Sequence, residues 1–200
     1  MTSVENGAWD IAVIGAGIAG ASVASELAPF ARVVLVEREA QPGYHTTGRS
    51  AALFSETYGP PTIRALSRAS APFFRSPPEG FAAAPLLSPR GVLMVARPDQ
   101  AAALAKLADE VAPQGNGCLL DAAETRAMLP LLRRDYVGGA LLEDGASDID
   151  VHALHHGFLR RFRNHGGTLV TGHELVGLSR DGGGWRIATS RGAFQARIVV

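Results

Sequence analysis

The N-terminal part of the chain alternates between short apolar runs and segments of small residues. Residues 11–14 form a continuous apolar run that stops at a glycine, which is typical of a strand buried on both faces of a parallel sheet. Residues 16–28 are small and apolar, which predicts a helix packed closely on that sheet, and Pro29 ends it because proline disfavours helix at the preceding residue. The valine-rich residues 32–37 predict a second strand. This order predicts one βαβ unit with a right-handed crossover.

The pattern becomes mixed after this unit. Residues 38–58 are rich in Gly, Thr and Ser, which indicates a loop or a helix start, and the four prolines of residues 76–89 indicate irregular structure. Further helices are predicted at 62–74, at 98–111 and after a capping box formed by Asp121 and Glu124. A last helix is predicted from Asp150 to about Asn164, with Gly166 as its C-cap. Further strands are predicted at 91–96 and 138–143, and three more within 168–200. This order does not fit a single doubly wound sheet, so we expect a second, interleaved domain.

The composition is that of an ordinary globular protein, with 46% apolar and 19% charged residues. The 19 basic and 19 acidic residues balance, so no electrostatic signature of a nucleic-acid or anionic-membrane partner is present. Cys118 is the single cysteine, which excludes an internal disulfide and a cysteine metal cluster. No signal peptide or transmembrane segment is predicted. We therefore expect a cytoplasmic protein, and the richness in Ala, Gly and Arg favours a bacterial source.

A glycine motif follows the first predicted strand directly. Gly15, Gly17 and Gly20 form a G-x-G-x-x-G, with Ile18 and Ala19 between the last two glycines. Gly15 permits the tight turn out of the strand, Gly17 lets a pyrophosphate approach the backbone, and Gly20 lets the helix pack close to the sheet. The helix N-terminus then presents free N–H groups and a partial positive charge to the phosphates. The motif and its context predict a dinucleotide-binding site.

An acidic residue ends the second predicted strand. Glu37 lies 17 residues past Gly20, where a carboxylate can accept hydrogen bonds from both ribose hydroxyls of an adenosine. The same carboxylate would repel a 2′-phosphate, which argues against NADP. NAD and FAD share this fingerprint, so the following segment has to distinguish them.

The segment after Glu37 begins with Arg38 and continues into a loop with hydroxyl and glycine residues. The residues of this loop are Thr46, Thr47, Gly48, Arg49, Ser50 and Ala51. With them the chain resembles the D-amino-acid-oxidase-like family of FAD-dependent oxidoreductases, which includes glycine oxidase, sarcosine oxidases and D-amino-acid dehydrogenases. In that family such a loop precedes a helix and lies along the FAD pyrophosphate and ribitol. The resemblance implies that FAD is the cofactor and that Arg38 and this loop contact it, with hydroxyls and a helix N-terminus facing phosphate oxygens.

The resemblance extends along most of the chain. The family has a leucine-proline pair followed by an aspartate-led helix, matched here by Leu129-Pro130 and by the aspartates Asp148 and Asp150. A later strand contacts the adenine through the backbone of an apolar residue, usually valine, and Leu175 is the match. Its role as an adenine contact is implied by the resemblance alone.

The resemblance also implies an α/β fold. We expect a GR-type, Rossmann-like FAD-binding domain interleaved with a substrate domain built on a mixed or antiparallel sheet. The expected division is residues 1–74 for the βαβ unit and flavin loop, 75–145 for part of the substrate domain, and 146–200 for the return to the FAD-binding domain.

The implied reaction is oxidation of a C–N or C–O bond in a small amine, amino acid or hydroxy acid. A hydride would move from the substrate α-carbon to flavin N5, and oxygen or a quinone would accept the electrons. A quinone acceptor would place the protein at the periphery of the inner membrane. An NAD-dependent dehydrogenase and a non-catalytic nucleotide-binding module stay open as alternatives. No catalytic base or substrate ligand is assigned.

Histidines outside the motifs are interpreted as surface residues. His152, His155 and His156 share one predicted helix, but no acid completes a metal-binding pattern, so a solvated helix face and no metal site are expected. His45 lies in the proposed flavin loop, where a role beside the flavin ring or a covalent tether competes with a plain loop histidine.

The last residues form an apolar strand pattern with nothing after it. A domain rarely stops at a buried strand, because an unpaired edge and an unfinished core would remain. We expect residues 1–200 to be part of a longer enzyme and, made alone, to bind FAD weakly and to lack turnover.

Overall fold

The computed structural model describes residues 8–115 and 117–200, which form two compact units. The first unit contains residues 8–50, Pro78–Ala84 and Val151–Val200. The second contains Ala51–Pro77 and the described part of Pro85–Asp150. Each unit is thus built from separated stretches of chain. The division into a flavin-binding and a substrate domain that the sequence leads us to expect stays a prediction.

Strands and helices alternate irregularly along the chain. In chain order they are β1 (Ala8–Ile14), α1 (Ile18–Leu27), β2 (Val33–Val36), β3 (Leu53–Phe54), α2 (Pro61–Arg75), β4 (Leu87–Pro89), β5 (Val92–Ala96), α3 (Ala101–Val111), β6 (Cys118–Asp121), α4 (Ala122–Met128), β7 (Gly139–Glu143), β8 (Ser147–Ile149), α5 (Val151–Asn164), β9 (Thr168–Val170), β10 (Leu175–Asp181), β11 (Gly184–Thr189) and β12 (Gly192–Val199). Short 3₁₀ turns at Pro98–Gln100 and Ala112–Gln114 flank α3. None of the helices in the described part of the chain is long and apolar enough to cross a membrane.

The first unit is built on one mixed sheet of six strands. Their order is β10-β11-β12-β1-β2-β9. Strands β12, β1, β2 and β9 run parallel to one another, whereas β10, β11 and β12 form an antiparallel meander. The βαβ unit predicted from the sequence is therefore the centre of this sheet, because β1 pairs with β2 through Ile11 and Val33.

Both faces of the central strands are buried, as their unbroken apolar runs predict. On one face Ile11 and Val13 of β1 pack with small residues of α1 and with Leu159 and Phe162 of α5. On the other face Ala12 packs with Val34, Val36 and apolar residues of β11 and β12, which include Ile187 and Phe194. Helices α1 and α5 therefore cover the same face of the sheet, and both begin at the edge where β1 and β2 end.

The second unit contains two small antiparallel sheets. Their strand orders are β3-β8-β4 and β5-β7-β6. The capping box at the start of α4 is present, since Asp121 accepts from the N–H of Glu124 and the Glu124 side chain accepts from the N–H of Asp121. The α/β fold with an antiparallel sheet outside the nucleotide domain, as expected from the sequence, is confirmed.

Several short elements were not predicted correctly. Strand β4 lies in the stretch expected to be irregular, and residues 168–200 contain four strands where three were expected. Strand β9 adds to β2 and is separated from β10 by Gly172 with φ +72°. Three-residue strands offer too little periodicity to be recognised without their partners.

A buried carboxylate organises the second unit. Glu143, only 2% exposed at the end of β7, accepts hydrogen bonds from the hydroxyls of Ser55 (2.6 Å) and Thr57 and from the backbone N–H of Glu56 (2.8 Å). These donors offset the cost of removing the carboxylate from water. The side chain thereby fixes the segment that follows β3 to the end of β7.

We expect Glu143→Ala to lower the free energy of unfolding by at least about 2 kcal/mol, because each buried donor left unsatisfied costs about 1–3 kcal/mol. Chemical denaturation of the purified protein measures the change. The control is Asp99→Ala, which removes an exposed carboxylate paired with Arg97 and is expected to leave stability nearly unchanged. Equal stability of the two variants would contradict the structural role of Glu143.

Candidate functional site

Gly15 and Gly20, the first and last glycines of the motif, allow the start of α1 to approach the end of β1 very closely. Gly15 has φ +95°, a conformation that favours glycine, and its N–H donates to the carbonyl of Val36 at 2.7 Å. A Cβ at Gly20 would lie 1.9 Å from the carbonyl oxygen of Gly15. Only glycine therefore allows α1 to begin this close to the end of β1.

The start of α1 is capped by a side chain from a distant loop. Gly17 occupies the N-cap position and offers no side chain, but the Ile18 N–H donates to the hydroxyl oxygen Oγ1 of Thr47 at 2.9 Å. A Cβ at Gly17 would lie 3.2 Å from the same oxygen. Ala19 and Gly20 follow in the first turn, whose N–H groups have no partner within the helix. This end of α1 is therefore a site with the donors and partial positive charge that an anion requires.

Glu37 is nearly buried beside the glycine loop. Its Oε2 accepts from the Ala16 N–H at 2.7 Å and its Oε1 from the Glu39 N–H at 2.9 Å. Each carboxylate oxygen has a second lone pair that can accept a further hydrogen bond. The carboxylate thus both holds the glycine loop and keeps acceptor capacity for hydroxyl groups.

A pocket of about 250 Å³ opens next to this carboxylate. Gly15, Glu37, Arg38 and Leu175 line it together with His173. Leu175 is the first residue of β10 and follows His173, whose N–H donates to the carbonyl of Glu37 at 2.9 Å and so brings this segment beside the carboxylate. Four residues selected from the sequence therefore share one pocket.

The loop after Glu37 consists of turns and does not lead into a helix. Residues 42–49 form consecutive turns in which the N–H of Gly48 donates to the carbonyl of Gly43 at 2.7 Å and that of Arg49 to the carbonyl of His45. Of the loop and the helix start that the sequence leaves open for residues 38–58, the structure has the loop, and the next helix is α2. The cause is this run of local hydrogen bonds, which closes the chain on itself.

The loop residues chosen from the sequence differ in their exposure. Thr47 is buried against α1, whereas Thr46, Arg49 and Ser50 are exposed. The guanidinium of Arg49 stands over the ring of Tyr44, 5.2 Å from its centroid. Ala51 is the first residue of the second unit.

Three charged or titratable side chains meet where this loop leaves β2. His45 Nε2 lies 2.7 Å from Glu39 Oε1, and Arg38 approaches the same oxygen at 3.1 Å. The hydrogen bond with His45 lowers the pKa of the Glu39 carboxyl below its ordinary value, with Arg38 adding to the effect. Glu39 is therefore ionised at neutral pH and holds His45 at the surface of the loop.

A larger pocket of about 800 Å³ lies between this loop and the start of α5. Its lining includes Tyr44, Arg49, Ser50, His152 and His156. Burial lowers the pKa of His156, and the neighbouring His152 lowers it further. The stacked rings of His152 and His156 are 4.1 Å apart. Among residues 8–115 and 117–200, no three His, Cys, Asp or Glu side chains are arranged to hold a metal ion.

His155 was wrongly assigned to a solvated helix face. The side chain is 3% exposed, and its Nε2 lies 2.8 Å from the carbonyl oxygen of Ala16 in the glycine loop. His155, Leu159 and Phe162 are spaced i, i+4 and i+7, so they share the buried face of α5. That spacing was the signal in the sequence, but the polarity of His155 and its neighbours obscured it.

The sequence profile of the DAO family, described as FAD dependent oxidoreductase, matches residues 10–200. The fold is similar to that of glycine oxidase from Geobacillus kaustophilus, with 22% sequence identity and a TM-score of 0.80, covering 96% of this chain and 54% of that one. L-alpha-glycerophosphate oxidase from Mycoplasma pneumoniae with FAD bound gives 17% identity and a TM-score of 0.81 over 96% and 53% of the two chains. L-proline dehydrogenase from P.horikoshii has 20% sequence identity and a TM-score of 0.79, with 96% of this chain and 52% of that chain covered.

The chain spans about half the length of these solved structures. At such low identity the structural likeness establishes the fold, while the profile match over nearly the whole chain establishes the family. The glycine loop, the acid after β2 and the capped start of α1 agree with the cofactor of that family. The chain belongs to the DAO family of FAD-dependent oxidoreductases, and its cofactor is FAD.

Proposed function

We propose that the pocket beside Glu37 and the start of α1 together hold the ADP half of FAD. The carboxylate of Glu37 accepts hydrogen bonds from the ribose, the backbone of Leu175 contacts the adenine, and Arg38 borders the adenosine. The backbone around Gly17, Ile18 and Ala19 faces the pyrophosphate, with Gly15 and Gly20 shaping its approach. The proposal rests chiefly on one observation, the hydrogen bond that Thr47 Oγ1 accepts from the Ile18 N–H. An oxygen from the flavin loop there caps a glycine-headed helix that lacks its own side-chain cap.

The flavin loop continues the same site. Thr46, Thr47, Gly48, Arg49, Ser50 and Ala51 are the residues we assign to the phosphates and the ribitol. A Cβ at Gly48 would lie 2.7 Å from the carbonyl oxygen of Gly43, so glycine is needed for the tight turn that brings Thr47 to α1. The exposed guanidinium of Arg49 supplies a positive charge next to this turn.

For the whole protein we propose oxidation of a C–N bond in a small amine or amino acid. When bound, FAD supplies an isoalloxazine ring that accepts a hydride equivalent from the substrate carbon. The residues of this chain bind the cofactor and fix its position, and the electrons then pass to oxygen or a quinone. Support comes from the names of the structural neighbours, which include two glycine oxidases, a proline dehydrogenase and an L-amino acid deaminase.

A second candidate is oxidation of a C–O bond, as in a 2-hydroxy acid. The neighbour named as an L-alpha-glycerophosphate oxidase favours keeping this class, because its fold matches this chain as closely as the glycine oxidases do.

The substrate class is tested by flavin reduction in the full-length protein. We expect bleaching of the flavin absorbance by at least one member of a panel of D-, L- and N-methyl amino acids, at a rate of about 1 s⁻¹ or more, as is typical of enzymes. 2-Hydroxy acids and glycerol 3-phosphate form the comparison panel. Reduction by the comparison panel alone would replace the C–N assignment with the C–O candidate.

Glu37→Ala is expected to weaken FAD binding at least about tenfold, because hydrogen bonds to a charged group are worth about 1.5–3 kcal/mol each. Fluorescence titration of the apoprotein measures the dissociation constant. The control is Glu79→Ala, which removes an exposed acid of the same unit and should leave the dissociation constant of FAD unchanged. Unchanged affinity in Glu37→Ala would refute the ribose assignment.

Gly17→Val is expected to abolish retention of flavin during purification. The new side chain would start 3.2 Å from Thr47 Oγ1 and occupy the space assigned to the pyrophosphate. The matched control is Gly145→Val, since a Cβ there meets nothing within 4 Å and the backbone is not left-handed. Absorbance at about 450 nm per mole of protein, where oxidised flavins absorb, gives the occupancy. A Gly17→Val protein with wild-type occupancy would show that the phosphates bind elsewhere.

A further inference from the structure

Both backbone polar groups of Ala16 are held by buried side chains from other elements. The N–H of Ala16 donates to Glu37 Oε2 at 2.7 Å, and its carbonyl oxygen lies 2.8 Å from Nε2 of His155. Ala16 is the residue between the first two glycines of the motif. The glycine loop is thus fixed at its centre by the residue that follows β2 and by the second turn of α5.

The hydrogen bond from His155 determines the direction in which the N–H of Gly17 points. A carbonyl oxygen can only accept, so Nε2 of His155 carries the proton that it donates. In a planar trans peptide the C=O and the next N–H point in opposite directions. Since the carbonyl of Ala16 points towards His155, the N–H of Gly17 points away from it, on the opposite side of the loop from α5.

The imidazole is confined on a second side by the flavin loop. Gly43 has φ +77°, and a Cβ there would lie 2.8 Å from Cε1 of His155. Any larger residue at position 43 would displace the ring. His155 therefore contacts both segments that form the candidate phosphate site, and its ring has little freedom to turn.

We propose that His155 is a positioning residue, which orients the Gly17 N–H towards the pyrophosphate of the cofactor by holding the Ala16 carbonyl. This proposal rests on the FAD site proposed above and adds a residue to it. Without the hydrogen bond the Ala16–Gly17 peptide can rotate, because glycine on both sides of Ala16 leaves the backbone permissive. The affinity for ligands that carry phosphate should then fall, while that for adenosine should not.

The test compares ligands on the full-length apoprotein. In His155→Leu we expect the dissociation constants of FAD and ADP to rise about tenfold, as one lost donor of about 1.4 kcal/mol implies, and that of adenosine to stay within about twofold. His155→Gln restores an N–H donor at a similar reach and should bring FAD and ADP to within about threefold of wild type. His165→Leu, an exposed histidine just after α5, is the matched control.

The outcomes separate the proposal from its alternatives. Unchanged ADP affinity in His155→Leu would overturn it, and so would an equal loss for adenosine and ADP, because a merely structural role predicts no discrimination between these ligands. If His155→Leu does not fold, His155→Asn, with a shorter amide, must show the same selective loss. A wild-type protein that binds no FAD would instead refute the proposed function itself.

Discussion

The contact between Gly20 and the carbonyl of Gly15 is the constraint on which the site depends. Because neither residue has a side chain there, α1 begins within van der Waals reach of the end of β1. Small residues continue this approach along the helix, since Ala21 and Ala24 are fully buried against the sheet. Because the side chains of α1 are small, α5 can pack beside it on the same face of the sheet. The position of His155 under the glycine loop is thus a consequence of the smallness of α1.

The proposed FAD site has to meet two opposite electrostatic requirements, those of the phosphates and those of the ribose, within a few residues. Phosphates need positive potential, which the start of α1 provides, whereas ribose hydroxyls need an acceptor, which is a full negative charge on Glu37. Two backbone N–H groups donate hydrogen bonds to this carboxylate and partly offset its negative charge. The neighbouring acid Glu39 is likewise compensated by Arg38 and His45. Local pairing therefore allows both requirements of the proposed FAD site to be met in a chain without net charge.

Local signals allowed the sequence to predict the βαβ unit, the glycine loop and the capping box at Asp121, because each depends on residues close together in the chain. The capping of α1 by Thr47 depends on a partner far away in sequence, so no local pattern indicates it. The burial of His155 has a local signal in its spacing from Leu159 and Phe162, but the polar neighbours of His155 obscure it. The turn-rich loop around Gly43 could not be distinguished from a helix start, since glycine and hydroxyl residues are common to both structures. Three-residue strands such as β9 become recognisable only beside the strand that they pair with.

The pairing of β1 has a consequence for how the chain folds. One neighbour, β2, follows after a single helix, but the other, β12, comes more than 150 residues later in the described part of the chain, and Ala8 pairs with Gln195. Contacts of such long range must overcome a large loop-closure entropy before they contribute any stability, which makes folding slow. Until β12 arrives, one edge of β1 presents unpaired backbone groups to any other strand. During synthesis on the ribosome the six-stranded sheet of the first unit is therefore complete only after the second unit has emerged, so aggregation competes with folding throughout that interval.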